Sequence, residues 1–116
     1  MNIRRIAEEQ RLSGAVVGGG IIWLAGQVAD DPSLDAEGQT ADILAQIDVL
    51  LAEAGTDKRA LMSMTCVLAD IRDAPAMNRA WDAWLDASAK PARMTIQAPL
   101  VDPRWKVEIT GVALAP

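Results

Sequence analysis

The sequence predicts an α+β fold in which two helices pack on one face of a mixed, mostly antiparallel sheet, in the order β-β-α-β-α-β-β. The chain has 116 residues, which fits a single domain spanning residues 1–116. Two segments repeat apolar residues at three- and four-residue steps, as amphipathic helices do. Shorter segments alternate apolar and polar residues, as strands do.

The predicted elements follow in order along the chain. The runs SGAVV and IIWLAGQV flank a triple glycine, which indicates a hairpin. A first helix is predicted from Asp35 to Ala54, with Gly55 as its stop. The segment ALMSMTCVLAD alternates as a strand, APAMNRAWDAWLDASA has the apolar stripe of a second helix, and RMTIQA and KVEITGVAL are the last two strands.

The last two predicted strands carry a fixed cation, Arg93, and a carboxylate, Glu108. If they pair as an antiparallel hairpin with either Arg93 or Thr95 opposite Glu108, the two charges share one face; a one-residue shift separates them. One interpretation is a solvated ion pair that contributes about 0–1 kcal/mol. The other is a face covered by a second subunit, where the planar guanidinium binds a carboxylate through two hydrogen bonds.

Charge and residue usage exclude several classes of function. The net charge of −5 and the pI of about 4.5 disfavour nucleic-acid and membrane partners, because no basic stripe is present. The chain has no histidine, which excludes Ser-His-Asp and Cys-His catalysis and histidine-ligated metals. A single cysteine, Cys66, excludes an intramolecular disulfide and a thiolate zinc site. We interpret Cys66 as a small buried hydrophobe and expect no metal site.

The N-terminal segment superficially fits a secretory signal, since MNIRR is followed by an apolar run. Glu8 and Glu9 follow the arginines, however, and Gly18, Gly19 and Gly20 interrupt the run. No apolar run approaches the roughly 20 residues that span a bilayer. We therefore expect a cytoplasmic protein.

Several segments, taken together and in order, resemble the RidA/YjgF family of enamine/imine deaminases. They are GGIIWLAGQV, AEGQTADILAQIDVLLAEAG, AMNRAWDAWL, PAR and KVEITGVA. The spacing of Arg93 and Glu108 matches the arginine and glutamate of the family. The resemblance covers nearly the whole chain, and the AWDAW segment resembles a side branch of the family rather than its archetype.

This resemblance implies a chorismate-mutase-like fold and a homotrimer, with the sheets forming a central barrel and ligand clefts between subunits. Members of the family hydrolyse 2-enamines and 2-imines, such as 2-aminoacrylate, to 2-keto acids and ammonia. They use no cofactor and no metal. The implied ligands of this chain are therefore a 2-imino acid and its 2-keto acid product.

The site residues carried over from the family are implied position by position. Arg93 would clamp the substrate carboxylate, and Glu108 would position or activate the attacking water. The backbone around Thr95 would contact the substrate. Gly26 and Asn78 match further positions of the cleft.

The sequence departs from the archetype at two of its positions. Thr95 stands where the family usually has a cysteine, and the tyrosine of the first strand is missing, with Leu12 or Ser13 near its place. Ser13 is thus a candidate substrate contact.

The alternative function is a non-catalytic or regulatory trimer that binds 2-keto or imino acids. A third, structural or chaperone-like role would need neither Arg93 nor Glu108.

Overall fold

A computed structural model describes residues 1–116 and consists of six strands, two α-helices and two short 3₁₀ turns. The elements are β1 (Arg4–Glu8), β2 (Ser13–Gly18), β3 (Ile21–Val28), α1 (Ala36–Glu53), β4 (Leu61–Leu68), α2 (Ala74–Trp84), β5 (Ala92–Gln97) and β6 (Val107–Leu114). The predicted order is confirmed, with one strand added at the start. Sequence reasoning missed β1 because Ile6 is its only buried residue, so the strand has almost no apolar pattern.

All six strands form one sheet in the order β1-β2-β3-β6-β4-β5. Every neighbouring pair is antiparallel except β4 and β5, which are parallel, so the predicted mixed and mostly antiparallel sheet is confirmed. The predicted hairpin of β5 and β6 is wrong. Helix α2 carries the chain back so that β5 pairs in parallel with β4 at the sheet edge, and β6 inserts between β3 and β4.

Helix α1 begins and ends within one residue of the predicted bounds, Asp35 and Ala54. The side chain of Asp35 accepts a hydrogen bond of 2.8 Å from the backbone N–H of Gly38, which satisfies one free donor of the first turn. At the other end Gly55 adopts a φ of +91°, the left-handed conformation that terminates helices. Neither helix is long and apolar enough to cross a membrane.

Both helices pack on one side of the sheet, which we call the helix face. Cys66 is fully buried there, as predicted. Fully buried apolar side chains from the strands and helices fill this layer; they include Ile22, Ile43, Leu44, Ile47, Leu51, Met64, Leu68, Met77, Val107 and Ile109.

No helix covers the opposite side, which we call the open face. Strand register assigns four large apolar side chains to this side, because their cross-strand partners alternate with those of the core. All four are exposed in the single chain: Trp23, Met94, Ile96 and Leu114.

Candidate functional site

Arg93 lies on the helix face of β5, beside Met64 of β4. Its Nη1 donates a hydrogen bond of 2.9 Å to Oδ1 of Asn78, and its guanidinium carbon lies 4.8 Å from the centre of the Trp81 ring. An amide at one edge and an aromatic face beneath restrict the guanidinium in two directions.

Helix α2 supplies both of these contacts. Asn78 and Trp81 are three residues apart, so they project from the same side of the helix. Trp81 is 5% exposed and belongs to the hydrophobic core. Trp81 belongs to the apolar stripe of the predicted second helix, and its three-residue spacing from Asn78 was a signal that both could face the same strand.

Arg93 has no carboxylate partner. The four salt bridges of the chain join other arginines to acidic side chains, in the pairs Arg59–Asp57, Arg72–Asp70, Arg79–Glu37 and Arg104–Asp102. The donors of Arg93 that are not engaged by Asn78 therefore remain available to an anion, and the guanidinium can bind a carboxylate with charge-assisted hydrogen bonds.

Thr95 follows on the same face of β5, directly beside Cys66 of β4. Its Oγ1 is the one buried side-chain nitrogen or oxygen of the chain without a hydrogen-bond partner. Burial raises the pKa of the Cys66 thiol to about 11, although the nearby Arg93 charge acts in the opposite direction. Cys66 is therefore a buried thiol that stays protonated near neutral pH. Reactive cysteines, by contrast, have a lowered pKa and are ionised.

Glu108 lies on the open face of β6, between Val28 of β3 and Val67 of β4. It is half-buried. Its side chain folds over Gly26, where an added Cβ would overlap Oε2 and lie 3.0 Å from Cδ. Gly26 belongs to a segment of β3 in which the register with β6 shifts, between Leu24 and Gln27.

The structure therefore divides the candidate residues between the two faces. Arg93, Asn78 and Thr95 are together on the helix face, whereas Glu108 and Gly26 are together on the open face. Ser13 begins β2, opposite Glu8 of β1, and belongs to neither group.

The expectation that Arg93 and Glu108 share one face is wrong within a single chain. Arg93 pairs with Met64 and Glu108 with Val67, and these positions of β4 are three residues apart. Because successive side chains alternate between faces, an odd separation places the two charges on opposite sides.

Two surface depressions of the single chain lie away from these residues. A polar one of about 450 Å³ is lined by residues such as Asp48, Lys58 and Arg59. A more apolar groove of about 530 Å³ runs between the two helices, beside Leu44 and Trp84. Neither contains a residue of the two groups.

Comparisons of this chain with family models and with known proteins all identify the same family. The family described as Endoribonuclease L-PSP matches residues 2–115. The RutC family protein YoaB of Escherichia coli is 44% identical over 113 residues, which cover 97% of this chain and 98% of YoaB. A RutC family protein of Haemophilus ducreyi is also 44% identical, over 96% of this chain and 95% of its own.

Solved structures agree with this result. The crystal structure of a YjgF family member from Neisseria meningitidis superimposes with a TM-score of 0.96 and 42% identity, covering 100% of this chain and 97% of the other. The match extends over the whole domain, including the strands that carry Arg93 and Glu108. The chain is therefore a member of the YjgF/RidA family, which is also described as the endoribonuclease L-PSP family.

Proposed function

We propose that this protein hydrolyses reactive 2-enamines and 2-imines, of the 2-aminoacrylate type, to 2-keto acids and ammonia. The observation that carries the proposal is the Arg93 guanidinium, which Asn78 and Trp81 orient while no acidic side chain neutralises it. A small organic anion is the ligand that such a group binds best. Membership of the YjgF/RidA family is consistent with this type of hydrolysis.

The reaction divides between the two groups of residues. Arg93 binds the carboxylate and so fixes C2 of the imine in the cleft. Glu108 accepts a proton from a water molecule as the water oxygen bonds to C2, and it returns this proton to the nitrogen. The new hydroxyl group on C2 then gives up its proton, also by way of Glu108 to the nitrogen, as the C2–N bond breaks and ammonia leaves. An enamine first gains a proton at C3 and loses one from its nitrogen, which converts it to the imine. The products are the 2-keto acid and ammonia, and no cofactor or metal is consumed.

We further propose that the cleft forms between subunits of a homotrimer. The open face exposes Trp23, Met94, Ile96 and Leu114, and burial of this apolar surface against other copies of the chain stabilises an assembly. Arg93 of one subunit can then approach Glu108 of its neighbour, although they lie on opposite faces of one chain. Ser13 at the start of β2 is a further candidate contact in such a cleft.

The name of the family also mentions an endoribonuclease, which the charge of this chain does not favour. Its net charge is −5, and four of its arginines are paired with acidic side chains. An RNA-binding surface needs unpaired cations along the phosphate backbone.

A non-catalytic trimer that binds 2-keto or imino acids is the second candidate. The observation that favours it is Thr95, which stands where the archetype of the family has a cysteine. This alternative keeps the Arg93 clamp and predicts saturable binding without turnover.

The two candidates differ in a coupled assay. A dehydratase or amino-acid oxidase generates the imine, and semicarbazone formation reports how long it survives in the presence of the protein. We expect faster loss of the imine with the wild-type protein. Arg93→Ala should abolish the acceleration. Arg93→Lys should remove most of it, because lysine keeps the charge but lacks the planar group that binds a carboxylate through two parallel hydrogen bonds.

The matched control for Arg93→Lys is Arg59→Lys. Arg59 is exposed and pairs with Asp57, away from both groups of candidate residues. It should retain wild-type rates. Near wild-type activity in Arg93→Lys would mean that the clamp is wrong, and saturable keto-acid binding without acceleration would support the binding protein.

A further inference from the structure

Strand β3 leaves the regular ladder beside Glu108. Its pairing with β6 shifts between Leu24 and Gln27, so Ala25 and Gly26 have no partner in the register. Such bulges occur next to active sites, where they redirect a side chain.

Side chains satisfy the carbonyl groups that this irregularity frees. The hydroxyl of Thr110 donates a hydrogen bond of 2.7 Å to the Leu24 carbonyl, and Nε2 of Gln27 donates one of 3.0 Å to the Ala25 carbonyl. These bonds fix the two carbonyl groups that precede Gly26, and the bond from Gln27 to Ala25 spans Gly26 itself.

Space explains the glycine at position 26, whereas backbone conformation does not. The glycines with positive φ are Gly19, Gly20 and Gly55, and Gly26 is not among them. A Cβ at position 26 would instead overlap the Glu108 carboxylate. The missing side chain thus leaves a hollow on the open face, and the carboxylate occupies it.

We infer that Gly26 is a positioning residue, whose lack of a side chain fixes where the Glu108 carboxylate lies. This inference rests on the proposed function, since it assigns to Gly26 an effect on the step that Glu108 performs. It differs from a role of Gly26 in contacting the substrate, because here the glycine acts through another side chain.

The geometry separates this role from a structural one. The three atoms nearest to a methyl group at position 26 are Oε2, Cδ and Cγ of the flexible Glu108 side chain, which can rotate away at little cost to folding. At Gly111, by contrast, an added Cβ would lie 3.0 Å from the backbone oxygen of Ser63, which cannot move freely. Gly26→Ala should therefore fold normally and displace the carboxylate.

The test compares Gly26→Ala with Gly18→Ala in the whole protein. Gly18 is also a strand glycine, and its added Cβ would have no neighbour closer than 3.8 Å. We expect both variants to keep the wild-type Tm. Gly26→Ala should lower kcat for imine hydrolysis by up to about 100-fold, the effect of a misplaced catalytic group, with a much smaller change in KM because Arg93 is untouched.

A double variant tests whether Gly26 acts through Glu108. Glu108→Gln should lower kcat strongly, and adding Gly26→Ala should lower it no further, because the group that it displaces has already lost its function. Additive losses would overturn the inference, as would wild-type kcat in Gly26→Ala when Glu108→Gln is inactive. In both cases the proposed function would stand.

Crystal structures of the wild-type protein and Gly26→Ala provide a measurement that does not depend on activity. We expect the Glu108 carboxylate over residue 26 in the first and displaced in the second. If the wild-type protein has no hydrolase activity, the proposed function fails, and this comparison alone decides whether Gly26 positions the carboxylate. An unmoved carboxylate in the variant would overturn the inference.

Discussion

Arg93 and Glu108 are held in different ways by the two faces of the sheet. On the helix face, two side chains of α2 hold Arg93: the Asn78 amide accepts a hydrogen bond from it, and the Trp81 ring packs against its guanidinium. On the open face, the Glu108 side chain makes no hydrogen bond or salt bridge within the chain and lies in the hollow over Gly26. The first group is restrained by contacts, and the second by the shape of a strand.

On the function proposed above, each face carries half of a site. The Arg93 group has a cation without an anion, and the Glu108 group has a carboxylate on an apolar surface that lacks cover. A cleft that joins them needs two chains, each contributing a different face.

The largest effect is expected from mixed assemblies. Subunits with Arg93→Ala and subunits with Glu108→Gln should each be inactive alone. If a cleft takes Arg93 from one subunit and Glu108 from another, unfolding and refolding the two together should restore about a quarter of the wild-type sites by random pairing. Imine hydrolysis measures the recovery.

A mixture that stays inactive while forming assemblies would place both residues of a working site in the same chain. Refolded wild-type protein is the control for losses during the procedure. A particle with the mass of one chain in scattering measurements would contradict the divided site directly.

The next effect tests the restraint on Arg93. Asn78→Asp places a carboxylate 2.9 Å from Nη1, where it would neutralise the guanidinium and compete with the ligand. We expect the Kd for a 2-keto acid to rise by about 10-fold or more, which corresponds to about 1.4 kcal/mol. Calorimetry measures the change.

Asn2→Asp is its matched control, because it adds the same charge at an exposed terminal position. It should leave the Kd unchanged. Equal affinities for wild-type protein and Asn78→Asp would mean that the ligand anion does not bind at Arg93.

A third prediction concerns the buried side of the Arg93 group. The pKa of Cys66 is raised from 9.0 to about 11 in the folded protein, chiefly by burial. The unfolded thiol therefore ionises first, and the folded state should lose stability as the pH rises from about 9 to about 11. Below pH 9 both states are protonated and the effect is absent.

The slope of unfolding free energy against pH in this range should be smaller in Cys66→Ala than in the wild-type protein. A disulfide reagent at pH 8 should label the thiol only after denaturation. Rapid labelling of the native protein would show that Cys66 is accessible and ionised, contrary to its burial.

The smallest effect distinguishes two threonines, one on each face. Thr95 has a buried hydroxyl without a partner, so Thr95→Val should raise the free energy of unfolding by up to about 1 kcal/mol. Thr110 donates to the Leu24 carbonyl, so Thr110→Val should lower it by about 1 kcal/mol. Denaturant titrations measure both, and a loss of stability in Thr95→Val would mean that its hydroxyl has a partner.

Short sequence patterns predicted most helices and strands, because the formation of these elements depends largely on residues that are near one another along the chain. The bounds of the first helix, with its stop at Gly55, were readable from the sequence, as was the burial of Cys66. Pairing of the last strands was not readable, since an apolar alternation is equally compatible with a hairpin and with separate places in the sheet. The faces of Arg93 and Glu108 depend on that pairing.

The two groups of the candidate site were predictable only in part. The resemblance to a family supplied the residue names, and the structure supplied their neighbours. Contacts such as Trp81 beneath Arg93 join residues on different elements, so no short pattern reveals them. The hollow at Gly26 likewise depends on the register shift in β3, which leaves no signature in residue type.

The central place of β6 has a consequence for biosynthesis. Until this segment leaves the ribosome, β3 and β4 each have an unpaired edge, and the two halves of the sheet are held together only through the helices. A nascent chain with two such edges is prone to pair with other chains. Rapid translation of the final segment, or a chaperone bound to the emerging edges, would protect the protein during this interval.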